Sequence, residues 1–204
     1  CMTAQDLAEK GGDELSLGMV YNLLGNLYKQ DRSYEKAVYF STKYLELAKR
    51  TGNREGEATA LNNIGNLLME KGEYTLALQH YEDSLRIILD TGAPKQLLAQ
   101  GYLSLGRAFK KLGEYRNADE SISLGRNIFS ELGNAMGAIT GLWELAGNYG
   151  LQGEYGPAIK ILEENLSRAE DPGLKQHFID DLIRYSEKSH DLERAAKYRK
   201  MKGS

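Results

Sequence analysis

The sequence predicts an all-α fold, an αα superhelix of tandem helix-turn-helix units forming a right-handed solenoid, and three observations carry that prediction. The first is a fixed period. LGNLYKQDRSYEKA from Leu24, IGNLLMEKGEYTLA from Ile64, LGRAFKKLGEYRNA from Leu105 and LAGNYGLQGEYGPA from Leu145 align without gaps at spacings of 40, 41 and 40 residues. The second is an apolar stripe at i, i+3, i+4 and i+7 in each segment, the mark of one face of a helix. The third is punctuation, a glycine or serine break followed by a second amphipathic run that opens near a tyrosine.

The units follow in order. Residues 13–52 carry Tyr21, Leu24, Gly25 and Tyr28 on a first helix, a break at Ser33, and a second helix with Tyr34 and Ala37. Residues 53–92 repeat the plan with Leu61, Ile64, Gly65 and Leu68, then Gly72, Tyr74 and Ala77. Residues 93–133 have Tyr102, Leu105, Gly106 and Phe109, then Gly113, Tyr115 and Ala118. Residues 134–173 have Leu142, Leu145, Ala146 and Tyr149, then Gly153, Tyr155 and Ala158. Gly52, Gly92, Gly133 and Gly173 stand at a common distance beyond the alanines and read as closing glycines. A small residue inside a helix sacrifices propensity, so its recurrence opposite an alanine implies two backbones in close approach.

The ends depart from the plan. LAEKGGD from Leu7 aligns with LAKRTGN from Leu47, so residues 1–12 read as the C-terminal half of the second helix of a preceding repeat and the chain as a fragment. Residues 174–204 keep Leu182, Leu192 and Ala195 in register, but Ile183 replaces the small residue and His190 the turn glycine. This is a degenerate fifth repeat or a pair of capping helices, as terminal units of solenoids often are.

The L-G-x-x-Y core, the G-E-Y turn and the alanine of the second helix resemble the tetratricopeptide repeat (TPR) family over nearly the whole chain. The 40-residue period, longer than the usual 34, resembles the Pins/LGN-type adaptors and bacterial signalling arrays of that family. The resemblance implies a protein-protein interaction scaffold that binds a peptide segment of a partner in its concave groove. Its alternative is a ligand- or peptide-sensing regulatory domain of a larger kinase or transcription regulator.

Composition agrees with a non-enzymatic role. The net charge of −3 gives no cationic surplus for nucleic acid. No stretch approaches the length of a membrane span, and the lone Cys1 suits a cytoplasmic chain. His80, His177 and His190 fall in no metal-ligand spacing, and no phosphate-binding loop is present, so neither metal nor cofactor is expected. Adjacent pairs such as Asp180 and Asp181 diverge by about 100° on a helix, which suits a solvated face better than acid-base pairing. The basic run from Arg194 to Lys202 complements the negative end of a final helix.

By the resemblance, residues three before and one after each small residue line the groove: Asn22 with Asn26, Asn62 with Asn66, Leu103 with Arg107, and Trp143 with Gly147. Lys29, Asn63, Met69 and Lys110 join them, with Met19, Thr59, Gln100 and Thr140 nearby. Asparagine can donate and accept at once, so the repeated amides either grip an extended peptide backbone, or are ordinary polar surface or hydrogen-bond between neighbouring repeats. Asn26 and Asn63 match the carboxylate-clamp pattern, whereas Asn22, Gln100 and Ser104 stand where that pattern has Lys or Arg.

Overall fold

The computed structural model describes residues 14–202. First and second helices alternate along them: α1 (Glu14–Gln30), α2 (Tyr34–Thr51), α3 (Arg54–Lys71), α4 (Tyr74–Thr91), α5 (Lys95–Leu112), α6 (Tyr115–Glu131), α7 (Ala135–Gln152), α8 (Tyr155–Asn165), α9 (Pro172–Lys188) and α10 (Leu192–Lys202). No strand occurs among the described residues. The expected second helix of a preceding repeat, residues 1–12, lies outside them.

The chain divides into two compact units, residues 1–108 and 109–204, with the boundary inside α5. In the first, α1 packs on α2, α2 on α3 and α3 on α4, while Leu97 and Leu98 of α5 close over a cluster of Ala58, Leu61, Ile87 and Ile88. In the second, α6 packs on α7, α7 on α8, α8 on α9 and α9 on α10, and α7 also meets α9. Ala158, Leu162, Phe178 and Leu182 form the centre of its core.

The alanine of each second helix is the closest point of the design. Ala37, Ala77, Ala118, Ala158 and Ala195 are all 0% exposed. The small residues of the first helices keep that approach open. A Cβ on Gly25 would lie 2.9 Å from Ser41 Oγ, and one on Gly65 only 2.5 Å from the Tyr81 ring. At Gly65 the missing side chain therefore accommodates an aromatic ring, not only another small residue.

Turns repeat with equal regularity. Gly52, Gly72, Gly92, Gly113, Gly133 and Gly153 all have φ between +62° and +81°. The next residue returns its N–H to the carbonyl five positions earlier, as Asn53 does to Ala48 and Glu73 to Leu68, both at 2.9 Å. This closes the orphan carbonyls of the preceding helix. Asn53 and Asn134 then accept from the N–H of Gly56 and Gly137, capping α3 and α7.

The repeats also carry local departures from the regular plan. In the first repeat the left-handed residue is Arg32, at φ 57°, and Ser33 follows it. His190 occupies the same position in the last pair at φ 60°. Gly173 is no closing glycine but lies inside α9, because Asp171 caps that helix and Pro172 begins it. Correspondingly α8 has only 11 residues and runs into a 3-10 turn at Leu166–Arg168. On α1, Leu27 is 58% exposed, although Leu67, Ala108 and Asn148 at the same register are buried.

Two stability measurements check this architecture. Gly65→Ala is expected to lose about 1–3 kcal/mol in urea unfolding by driving a methyl into the Tyr81 ring. Arg32→Gly is expected to gain up to about 1 kcal/mol, since a left-handed non-glycine costs about 1–2 kcal/mol and glycine entropy returns part of that.

Candidate functional site

The asparagines of the first unit separate into structural and uncommitted groups. Asn63 Nδ2 donates to Asn22 Oδ1 at 2.9 Å, tying α3 to α1. Tyr81 Oη donates to Asn66 Oδ1 at 2.8 Å, and burial pushes that phenol well above its ordinary range. Asn22, Asn63 and Asn66 thus do what the second alternative for these amides foresaw, or its equivalent within one repeat.

Asn62 is different. Its Oδ1 is enclosed and accepts no hydrogen bond from the described residues. Together with Thr59, Asn63, Gln100 and Gly101 it lines a cleft of about 110 Å³ in the first unit. Asn26, Met69 and Arg107 are half-buried on the same helices. Leu103, expected to offer apolar contact, is 5% exposed and presents no usable surface. An apolar side chain at that register gains more from leaving water than from lining a groove. Lys29 stands apart, in a depression with Arg32, Tyr34 and Glu70.

In the second unit, Lys110, Trp143 and α9 enclose a larger cleft of about 400 Å³. Trp143 stacks on His177 with centroids 5.1 Å apart, and its Nε1 donates to Asp181 Oδ2 at 2.8 Å. Arg184 binds the other oxygen of Asp181 at 2.5 Å and donates to Tyr185 Oη at 2.8 Å. Burial raises the Asp181 carboxyl above its ordinary value, against the pull of Arg184 and the Trp143 N–H. Lys110 pairs with the buried Glu144 carboxylate. Lys111 and Lys188 stand exposed at the rim.

The α9 contribution is absent from the expected groove residues, which stop at Trp143 although residues 174–204 read as a degenerate fifth repeat or a pair of capping helices. The signal was present. His177 continues the series Met19, Thr59, Gln100, Thr140, and Arg184 continues Asn26, Asn66, Arg107, Gly147. Elsewhere the tail cations find partners: Lys202 with Asp180 at 2.7 Å, Arg194 with Glu163 at 3.4 Å, and Arg199 with Glu187. Among the described residues no cluster of three or more His, Cys, Asp or Glu could hold a metal, and no helix is long and apolar enough to cross a membrane.

Helix pairs closing on buried alanines, with polar clefts along their first helices, define a helical-repeat scaffold for protein-protein interaction. Sequence patterns of the tetratricopeptide repeat match residues 16–51 and 56–122. The chain belongs to the tetratricopeptide repeat family. It is similar to outer dynein arm-docking complex subunit 4 of Danio rerio, 28% identical over 102 residues, which are 50% of this chain and 20% of that protein. It therefore spans only part of that relative's length. Among solved structures, BtubC (BKLC) from P. vanneervenii matches with TM-score 0.81 and 18% identity over 98% of this chain and 84% of its own. A Rap protein complexed with competence and sporulation factor matches with TM-score 0.69 and 16% identity, over 97% of this chain and 54% of its own. At such identities the likeness is one of fold.

The Asn66 contact is open to a double-mutant cycle. Asn66→Ala leaves the buried Tyr81 hydroxyl unpaired and is expected to cost about 1–3 kcal/mol in thermal or urea unfolding. In a Tyr81→Phe background the same replacement should cost much less, because no donor remains to be stranded.

Proposed function

We propose that this chain binds a peptide segment of a partner protein along its first-helix faces, with Asn62 as a principal backbone-recognising residue of the first unit. The unspent hydrogen-bonding capacity of Asn62 carries this reading. An amide acceptor held without a donor costs free energy in the free protein, and a small rotation toward the cleft lets a peptide N–H satisfy it. Thr59, Asn63 and Gln100 add polar groups on the same wall. The cleft is narrow, which suits an extended backbone better than a folded surface. Asn22 and Asn63 hold α1 and α3 in register beneath it and act by positioning. That a TPR-fold neighbour is found in complex with competence and sporulation factor is in keeping with a binding role.

The test is a titration of the natural partner, isolated by affinity capture and mapped to a segment, against wild type, Asn62→Ala and Glu82→Arg. Glu82 is exposed on α4 and serves as the outer-surface control. Asn62→Ala is expected to weaken binding by about one to two decades with little change in melting. Glu82→Arg should leave binding intact. Normal binding by Asn62→Ala with loss in Glu82→Arg would move the contact to the outer surface.

A further inference from the structure

The cleft of the second unit has a charge distribution that nothing in the repeat architecture requires. Its carboxylates are inside and engaged: Asp181 holds Trp143 and Arg184, and Glu144 holds Lys110, with side chains only 13% and 6% exposed. Apart from Lys110, its cations face outward. Among the described residues neither Lys111 nor Lys188 has a carboxylate partner, and Arg184 remains 55% exposed while gripping Asp181. Lys110, Lys111, Arg184 and Lys188 against Asp181 and Glu144 leave an excess of two positive charges, carried at the rim.

The floor is shaped as well as charged. A Cβ on Gly147 would meet only Lys110 Nζ, at 3.2 Å, so the absence of a side chain there keeps the cleft deep. Tyr185 supports Arg184 from below, its ring 4.7 Å from the guanidinium carbon. Gly150 makes room for that tyrosine, since a Cβ there would fall 2.3 Å from the ring. Arg184 is therefore held in place by a hydrogen bond to Tyr185, contact with its ring and the Asp181 pair, before any ligand arrives.

We propose that the cleft between α7, α9 and the end of α5 is the charge-selective subsite of this scaffold and takes an acidic segment of a partner protein. Lys111 and Lys188 meet its side-chain carboxylates at the rim, Arg184 offers its free N–H groups, and the bare Gly147 lets the peptide backbone approach the helix. This rests on the peptide-binding reading above and adds to it the chemistry of the ligand. A polyanion such as nucleic acid is the competing occupant. A net charge of −3 gives no cationic surplus for a phosphate backbone, so a short acidic segment fits the cleft better.

Trp143, the only tryptophan in the chain, lies in this cleft and reports its occupancy through its own fluorescence. The probe is a synthetic oligopeptide of alternating Asp and Glu with both ends blocked, compared with its Asn and Gln counterpart and with oligothymidylate. The acidic peptide is expected to change Trp143 emission saturably, and the amide peptide to have no effect. Lys111→Glu with Lys188→Glu should weaken binding about tenfold or more, and rising salt should weaken the wild type. Gly147→Leu fills the floor without altering charge and should abolish the response, whereas Lys160→Glu, at an exposed position of α8, should leave it unchanged. No saturable response in wild type, equal response to the amide peptide, or indifference to the lysine reversals overturns the proposal. Tighter binding of oligothymidylate through the same lysines overturns it in favour of nucleic acid. A wild type that binds its partner through Asn62 yet ignores the acidic probe loses only the charge selectivity, and the peptide-binding reading stands.

Discussion

Everything in this chain depends on two helices coming close enough for an alanine to vanish from solvent. Five second helices place that alanine at the same register, and each is fully buried. The contact permits little else, because a larger side chain on either partner would separate the axes and uncover the apolar stripes beside it. Where the opposing first-helix residue is glycine, the gained space is used differently in each pair. Ser41 approaches Gly25, and the whole Tyr81 ring lies over Gly65. That ring in turn sends its hydroxyl to Asn66 and so fixes a residue at the edge of the polar face. Packing and surface chemistry are thus linked through one missing Cβ.

The fold was legible because its rules are local and repeated. Period, stripe and alanine all sit within a single unit of sequence, and stacking multiplies them. The errors arose where a local competitor outweighed the period. Gly173 stands at the spacing of a closing glycine, but Asp171 and Pro172 together start a helix there, with Leu174 N–H donating to Asp171 at 2.7 Å. At Arg32 the left-handed turn forms without glycine. Backbone hydrogen bonds of Ser33 to Tyr28 at 2.9 Å and of Arg32 to Lys29 at 3.1 Å hold the strained residue between α1 and α2. Composition cannot reveal a turn whose conformation is imposed by its neighbours.

The site was legible only in register. Counting from the small residue identified Asn62, Lys110 and Trp143 as facing the clefts, since face is a property of one helix. It could not say which amides would be consumed internally. Asn22 and Asn63 are 41 residues apart, and their bond depends on the separation of two helices that no spacing rule supplies. Leu103 shared the register of Asn22 and Trp143 and still went inside, because burial is decided by side chain and surroundings together. His177, Asp181 and Arg184 were missed for a different reason. The same count extends into α9 once that helix is taken as the first helix of a fifth repeat.

In the proposed reading the two clefts divide recognition between neutral and charged chemistry. In the first unit the polar groups are neutral amides and hydroxyls, which respond to a peptide backbone whatever its sequence. In the second they are cations arranged around internally satisfied carboxylates, which respond to side-chain charge. The overall negative charge of the chain does not oppose this. Screening at physiological ionic strength fades exposed charges beyond about 8 Å, so distant carboxylates contribute little, while Lys111, Lys188 and Arg184 act at contact. Covering Asp181 and Glu144 completes the separation. Carboxylates at the rim would repel an acidic ligand, but beneath it they hold Arg184 and Lys110 in position and leave the exposed surface positive. On that proposal, a cleft built this way selects by the charge of the segment it meets, and the net negative charge of the chain around it does not remove that selectivity.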